Sequence, residues 1–385
     1  MGSQITRIVL PYQVFVLTGS TLAIGGLVLA QLIPILLFSL GAGTVADAVD
    51  RRRILIVTQI GLASMSLLLV VLAIVPSPSL VAIYVVAFAA AGIGAVDAPT
   101  RAAAVPRLVT PGRLPAAIAL NQLSFQAASI VGPAVGGLLL ATVGVAGAYA
   151  VDVVSFGASL IALTVIGPLP PIGQVARPGI EAIVEGLRFA RQHRVILSTF
   201  AIDLVAMIFG MPTALFPVLA LDVFKVGPVG FGLLAAAPGV GAFFGALLSG
   251  WVSSVRRVGR AVILAVIVWG LAITGFGLAT FSFPLALVLI AIAGAADVLS
   301  AVFRSTILQL GTPDELRGRV TSIHLLVVTS GPRLGDLEST AVAAIFGAQF
   351  SVVSGGLLCL VGVGVVARAF PELWRAVLPS RQASA

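Results

Sequence analysis

The sequence is poor in charged residues and almost free of cysteine. Only 9% of its 385 residues are charged, whereas 59% are hydrophobic; soluble domains carry roughly 25% charged residues. Because a water-soluble fold cannot cover so much apolar surface, we expect lipid to surround this chain. The single cysteine, Cys359, excludes a disulfide within the chain and a metal site built from several cysteines.

Two further absences narrow the function. The sequence contains no Walker loop and no HExxH pattern, so it lacks the residues that ATP-driven transport and metalloprotease chemistry require. The net charge of +8 could attract nucleic acid, but the arginines are scattered between apolar runs instead of forming a basic face. The two histidines, His193 and His324, stand alone, and we expect both at the surface. We therefore expect no enzyme activity, no cofactor or metal and no nucleic-acid partner.

The apolar residues form near-continuous runs of about 15 to 25 residues, suited to crossing a bilayer as helices. A transmembrane barrel would instead show short alternating strands. The 42 glycines and 22 prolines are tolerated in spanning helices, where they allow close packing and kinks. The sequence predicts an all-α membrane protein with twelve transmembrane helices, at about 2–17, 21–45, 54–75, 79–99, 117–142, 146–167, 195–220, 228–251, 261–280, 283–303, 320–345 and 349–369.

The basic residues are unevenly divided between the two sides of these helices. Of the 22 lysines and arginines, 19 lie on one set of connections, among them Arg304 directly after the tenth run, whereas the opposite turns hold only Lys225. Arg7 and Arg333 lie within apolar runs. By the positive-inside rule, the arginine-rich side and both termini are cytoplasmic, and we expect the protein in the bacterial cytoplasmic (inner) membrane.

Two segments of the sequence recur. Leu108–Leu114 is repeated as Leu310–Leu316, and Gly132–Gly136 as Gly331–Gly335, at offsets of 202 and 199 residues. Two matches in the same order predict two similar halves, as in transporters built from parallel repeats. Compared with its counterpart, the first helix is about two turns short, which we attribute to a misassigned start codon. The expected domains are a six-helix bundle at 1–167, a cytoplasmic linker at 168–194, a second six-helix bundle at 195–369 and a cytoplasmic tail at 370–385.

A motif stands between the second and third runs. Its Gly-x₃-Asp-x₃-Arg-Arg spacing is formed by Gly43, Asp47, Arg51 and Arg52, with Asp50 just before the arginines. Asp47 can cap the next helix, and the arginines can bind carbonyl ends or a carboxylate across the loop; a positive-inside anchor with a turn is the alternative. The spacing resembles the signature loop of the major facilitator superfamily, although that loop's usual basic residue and glycine are replaced. The resemblance implies a role in gating.

The fifth run carries a second motif, formed by Gly132, Pro133, Gly136 and Gly137. Proline kinks a helix, and glycines one turn apart allow tight packing on a neighbour. A generic packing kink, which requires only these residues, is the alternative interpretation. The pattern also resembles the motif associated with exporters in the major facilitator superfamily, which implies efflux.

The resemblance covers essentially the whole chain. Segments 3–7, 10–14 and 17–20 look like the first helix of the subfamily that contains the enterobactin exporter and related drug effluxers, and segment 331–336 looks like its eleventh helix. This resemblance implies two six-helix bundles, a small-molecule substrate, protons as the coupling ion and a monomer.

Charges within the apolar runs are the best candidates for function, because an unpaired charge in lipid costs at least ~2.5 kcal/mol. Arg333 and Asp336 are three residues apart and can pair on one helix face. Asp203 and Asp297 have no obvious partner nearby in the sequence, so they are candidate proton carriers; capping a helix or lining water is the structural alternative. The expected substrate and proton pathway consists of Arg7, Asp152, Asp203, Asp297, Arg333, Asp336 and Glu338.

These features predict a secondary active exporter of a small organic compound, siderophore or drug-like, working by proton-coupled antiport and alternating access. The same fold importing a nutrient or metabolite is one alternative. A non-transporting membrane receptor or scaffold is another, and it would leave the buried charges unexplained.

Overall fold

The computed structural model describes residues 2–170 and 187–377, and within these ranges the side chains of 39–48, 253 and 315 are not described. The described chain is helical, without a strand. Its helices are α1 (Gly2–Thr18), α2 (Thr21–Ala48), α3 (Arg51–Ile74), α4 (Leu80–Ala104), α5 (Leu114–Thr142), α6 (Gly144–Val165), α7 (Arg194–Phe209), α8 (Gly227–Leu247), α9 (Val258–Leu278), α10 (Phe283–Gly311), α11 (Asp314–Phe346), α12 (Ala348–Ala369) and the short α13 (Pro371–Arg375).

Among the described residues, ten spans are long and apolar enough to cross a membrane. The other two long helices are α1, which has 17 residues, and α11, which has 33 residues and carries Arg333, Asp336 and Glu338. Large apolar side chains point outward: Val57 is 68% exposed, Val154 73% and Ile345 75%. Such a surface is stable only against lipid. The predicted all-helical membrane fold is confirmed.

The chain packs as two compact units: Met1–Arg177 with Val226–Ala236, and Pro178–Lys225 with Ala237–Ala385. Each has the same internal packing. In the first unit, α1 contacts α5 and α6, and α3 contacts α4 and α6; in the second, α7 contacts α11 and α12, and α9 contacts α10 and α12. Each contact recurs six helices later. The predicted linker and tail fall partly outside the described residues, at 171–186 and 378–385.

The turns and caps repeat as well. Ser79 and Ser282, 203 residues apart, begin α4 and α10, and each side chain accepts a hydrogen bond from the backbone N–H three residues on. Gly144 and Gly347, also 203 apart, form the tight turns before α6 and α12 with φ of 72° and 90°. This left-handed backbone strains any residue with a side chain, so both turns require glycine. These pairs extend the repeat predicted from the sequence.

The seventh span differs from the continuous helix expected at 195–220. Helix α7 ends at Phe209, and Pro212, which has no N–H to donate, interrupts the helical hydrogen bonds. The chain continues as a 3₁₀ turn at Thr213–Leu215, one α-turn at Phe216–Val218 and a π-helical turn at Leu219–Val223. The break leaves backbone groups without their usual helical partners.

Candidate transport site

A buried group of charges lies in the second unit. Arg304 of α10 places Nη1 2.8 Å from Oδ1 of Asp203 on α7, and Nη2 4.0 Å from Oδ1 of Asp297 on its own helix. Asp297 and Arg304 are seven residues, or two helical turns, apart, so they share one face of α10. One guanidinium therefore lies between two carboxylates. We call these three residues the Arg304 cluster.

The two carboxylates of the Arg304 cluster have different surroundings. The Asp203 side chain is 1% exposed, whereas the Asp297 side chain is 30% exposed and forms the longer ion pair. His324 of α11 is partly buried and close enough to interact electrostatically with Asp203 and Arg304. Asp297 is thus the more exposed of the two carboxylates, although its Oδ1 is buried, and Asp203 is the one that Arg304 neutralises directly.

The placement of Arg304 in a cytoplasmic connection was wrong. Helix α10 continues to Gly311, eight residues past the predicted end, and Arg304 is only 1% exposed among Phe303, Ile307 and Leu308. The expectation that Asp297 lacks a nearby partner fails for the same reason. A spacing of seven residues between opposite charges was the signal in the sequence. His324, expected at the surface, is partly buried, whereas His193 is exposed as expected.

In the first unit, Asp152 is the centre of a polar network. It is 1% exposed and accepts hydrogen bonds from Thr6 Oγ1 at 2.5 Å, Ser66 Oγ at 2.8 Å and Ser155 Oγ at 3.3 Å. These donors come from α1, α3 and α6. Because the three donors meet at one buried carboxyl group, the network ties three helices together. Arg7, on α1, is exposed and forms no ion pair with a described residue.

The other predicted charges lie on α11. Asp336 Oδ1 accepts hydrogen bonds from Thr213 Oγ1 at 2.7 Å and from the backbone N–H of Ala214 at 2.8 Å, and so caps the turn after the break in α7. Arg333 donates to the carbonyl of Thr329 at 2.7 Å, while Glu338 is partly buried. The pair of Arg333 with Asp336 stays a prediction. Capping gives Asp336 a structural role whatever else it does.

The arginines of the signature motif bind the ends of other helices. Arg52 donates from Nε to the carbonyl of Leu163 at 2.9 Å and from Nη2 to that of Thr164 at 3.2 Å, at the end of α6. Arg51 Nη1 donates to the carbonyl of Ala103 at 3.2 Å, at the end of α4. Cations at helix C-termini satisfy orphan carbonyls and complement the helix dipole. The sequence predicted that these arginines bind carbonyl ends or a carboxylate across the loop. The contacts with carbonyl ends are present.

Asp50 has two roles in the same motif. Its Oδ1 accepts a hydrogen bond from the backbone N–H of Arg53 at 3.2 Å and caps α3. Its Oδ2 accepts from the N–H of Leu169 at 2.9 Å, whose carbonyl in turn accepts from the N–H of Arg51 at 3.1 Å. The start of the predicted linker is therefore fixed to the motif. The side chain of Asp47 and the surroundings of Gly43 lie outside the described residues.

A second carboxylate supports this region. Asp97 of α4 is 7% exposed and accepts hydrogen bonds from Thr58 Oγ1 at 2.7 Å and Gln59 Nε2 at 3.0 Å on α3. Arg101 Nη2 pairs with its other oxygen at 2.9 Å. Helices α3 and α4 are thus held together at a point about two turns along α3 from Arg51 and Arg52.

The glycines of the α5 motif face other helices at close range. A Cβ built on Gly132 would lie 2.6 Å from Cβ of Gln4, and one on Gly136 would lie 2.8 Å from Cδ1 of Ile8, both on α1. A Cβ on Gly137 would lie 2.6 Å from the Cα of Gly232, in the part of α8 that packs with the first unit. Helix α5 therefore touches α8 through backbone alone, which only small residues permit.

Comparisons with known proteins agree with these features. A profile of the family described as transmembrane secretion effector matches residues 1–382. The enterobactin exporter EntS of Shigella boydii is 29% identical over 370 residues, covering 92% of this chain and 85% of the exporter.

Two solved structures share the fold. A POT family transporter in complex with 5-aminolevulinic acid superposes with a TM-score of 0.76 at 10% identity, covering 97% of this chain and 94% of that one. A bacterial homologue of the human lysosomal transporter Spinster gives a TM-score of 0.74 at 15% identity, covering 98% and 97%. These relatives are transporters and not enzymes. The chain belongs to the transmembrane secretion effector family and is a multi-pass transporter of the major facilitator superfamily that acts on a small molecule.

Proposed function

We propose that this protein is a secondary active exporter of the bacterial inner membrane, which moves a small organic compound outward in exchange for protons moving inward. The enterobactin exporter is a relative over most of the chain, and the Gly137–Gly232 contact belongs to the exporter-type motif. In this proposal the two halves are 1–167 and 195–369, the linker and both termini are cytoplasmic, and the unit of transport is the monomer. The arginine distribution supports the orientation.

The observation that carries the coupling proposal is the position of Arg304 between two carboxylates, of which Asp203 is sealed and Asp297 is 30% exposed. With both carboxylates ionised, the Arg304 cluster has a net charge of −1. A proton on Asp297 makes it neutral, which lowers the cost of excluding water from this part of the second unit. The conformational change that closes the site to one side and opens it to the other is then favoured when Asp297 is protonated.

The substrate follows from how few charges the helices carry. We propose an apolar or amphipathic compound such as a catechol siderophore or a drug-like molecule. In this proposal, Asp297 and Arg304 control proton binding and the conformational state of the protein. Apolar side chains and scattered hydroxyls bind the substrate. Asp203 holds Arg304 in place.

The test is transport by the purified protein in liposomes with an imposed pH gradient. Efflux-type antiport predicts that the gradient drives a labelled catechol siderophore or a drug against its concentration. Asp297→Asn should abolish this uphill movement while retaining downhill exchange. Asp314→Asn is the matched control, since that carboxylate is 83% exposed and, among the described residues, pairs with Arg317 on its own helix.

Other outcomes separate the alternatives. Movement of substrate in the same direction as the protons would indicate an importer. Uphill movement retained in Asp297→Asn would show that the proton carrier is another residue, Asp203 and Asp336 being next to test. No flux for a broad panel of compounds with folded protein would support a receptor or scaffold.

A further inference from the structure

A cleft of about 580 Å³ lies in the second unit, where several helices end on the same side. It is bounded by the first turn of α7, the start of α9, the end of α10 and the segment around α13. Its lining is mainly apolar, with a few polar and charged residues. The described residues that line it are Gln192, His193, Arg194, Val195, Ile196, Val258, Ile307, Leu310, Gly311, Glu372, Ala376 and Val377.

A recess of about 420 Å³ adjoins this cleft and is lined by Leu187, Arg188, Arg191 and Gln192. Gln192 lines both cavities, so the two are adjacent, and we call them together the groove. Arg188 and Arg191 are three residues apart on a helical segment, and both are exposed. Their guanidiniums therefore face the same side of that segment and line the recess.

The charge of the groove is unbalanced. Glu372 is the only carboxylate among its described lining residues, and Arg194 neutralises it at 3.0 Å. Arg194 also donates to the carbonyl of Ala369 at 2.7 Å. Arg188 and Arg191 form no ion pair within the described chain. Two guanidiniums are thus available to an anion, and the uncapped N–H groups at the start of α7 favour the same charge.

Aromatic residues mark this level as a membrane boundary. Trp374 is 42% exposed, and Arg260 lies over its ring at 5.0 Å. Phe370 lies under Arg194 at 5.6 Å. Tryptophan with arginine at the ends of spanning helices is typical of the headgroup region of a bilayer. The groove therefore opens where lipid headgroups lie, with its apolar cleft beside the acyl chains.

We propose that this groove binds an anionic phospholipid, with the phosphate on Arg188 and Arg191 and an acyl chain along the apolar wall formed by Val195, Leu310 and Val377. Basic pockets between transmembrane helices at the membrane surface bind anionic headgroups in this way. The inference requires only that the chain spans a membrane, so it stands or falls independently of the export proposal.

The test is lipid binding to the delipidated, detergent-solubilised protein, followed by native mass spectrometry and thermal melting. Phosphatidylglycerol should bind and raise the melting temperature. Phosphatidylcholine should not, because it has no net charge, and glycerol phosphate should not, because it has no chain for the cleft. The double variant Arg188→Gln/Arg191→Gln should weaken phosphatidylglycerol binding about tenfold or more.

The matched control is Arg53→Gln/Arg113→Gln, which removes the same charge from exposed positions in the first unit and should bind phosphatidylglycerol as the parent does. Equal loss in both double variants, or equal binding of the two phospholipids, would overturn the proposal. Binding of glycerol phosphate with the same affinity would mean a phosphate site and no lipid site. If the double variant does not fold, each single variant should still weaken binding several-fold.

Discussion

Arg304 and Asp203 form an ion pair of 2.8 Å in which neither side chain is more than 2% exposed. It joins α7 to α10 in the second unit, and it is the deepest charge pair in the described chain. An ion pair of this kind adds little net stability, yet removing one partner leaves a charge in a site that cannot solvate it.

We therefore predict that Arg304→Gln destabilises the protein strongly, by about 3–5 kcal/mol, seen as a lower midpoint in a fluorescence-detected thermal melt. The double variant Arg304→Gln/Asp203→Asn should recover much of the loss, because the sealed carboxylate is removed with its partner and the remaining one, Asp297, is 30% exposed. Arg101→Gln is the control: its side chain is 47% exposed, so its loss should cost less than about 1 kcal/mol. Equal effects of Arg304→Gln and Arg101→Gln would contradict a sealed pair.

The Asp152 network gives a second prediction, on α3. Ser66 Oγ donates to the Asp152 carboxyl group at 2.8 Å within the buried interior, and leaving a buried acceptor without its donor costs about 1–3 kcal/mol. Ser66→Ala should lower the melting midpoint by an amount in keeping with that loss. Ser64→Ala, two residues away, removes only an exposed bond to the carbonyl of Ile60, and should leave the midpoint unchanged. If both serines are dispensable, Asp152 does not depend on the Ser66 hydroxyl.

The helices were predicted well from the sequence because a lipid environment permits few backbone conformations. Backbone groups in a bilayer must be bonded within each span, so long apolar runs become helices. The repeat was also predicted from two recurring sequence segments, and the serine caps and turn glycines at an offset of 203 extend it.

The Arg304 cluster could not be predicted as a whole. The position of Arg304 depends on α10 continuing to Gly311, and sequence boundaries of helices are uncertain by a few residues. The partner role of Asp203 is a contact between two residues just over a hundred positions apart in the sequence. Likewise, the use of Asp336 as a cap depends on the break after Phe209, which Gly210 and Pro212 permit but do not require.

A third prediction concerns Asp50, where one oxygen caps α3 and the other binds the N–H of Leu169. Asp50→Asn keeps a capping oxygen but replaces the second acceptor with an amide, whereas Asp50→Ala loses both. Both variants should speed amide hydrogen exchange at Leu169, and only Asp50→Ala should also lose about 1 kcal/mol of helix capping at α3. Exchange at Leu169 that is unaffected by either change would mean that Arg51 alone holds the linker.

The last prediction uses the glycines of α5, which differ in what they face. Gly136 faces the end of the Ile8 side chain, which can rotate away, whereas Gly137 faces the backbone of Gly232, which cannot. Gly137→Ala and Gly232→Ala should therefore each separate α5 from α8 and reduce transport far more than Gly136→Ala. Gly157→Ala on α6 meets no atom within 4 Å and should be neutral or stabilising by about 0.5–1 kcal/mol, since alanine favours helix.

Measuring flux in liposomes together with the melting midpoint of each glycine variant distinguishes a role in transport from a role in packing. A variant at Gly137 that folds and melts normally but transports poorly would indicate that the close approach of α5 to α8 serves the transport cycle, whereas a loss of both would indicate packing alone.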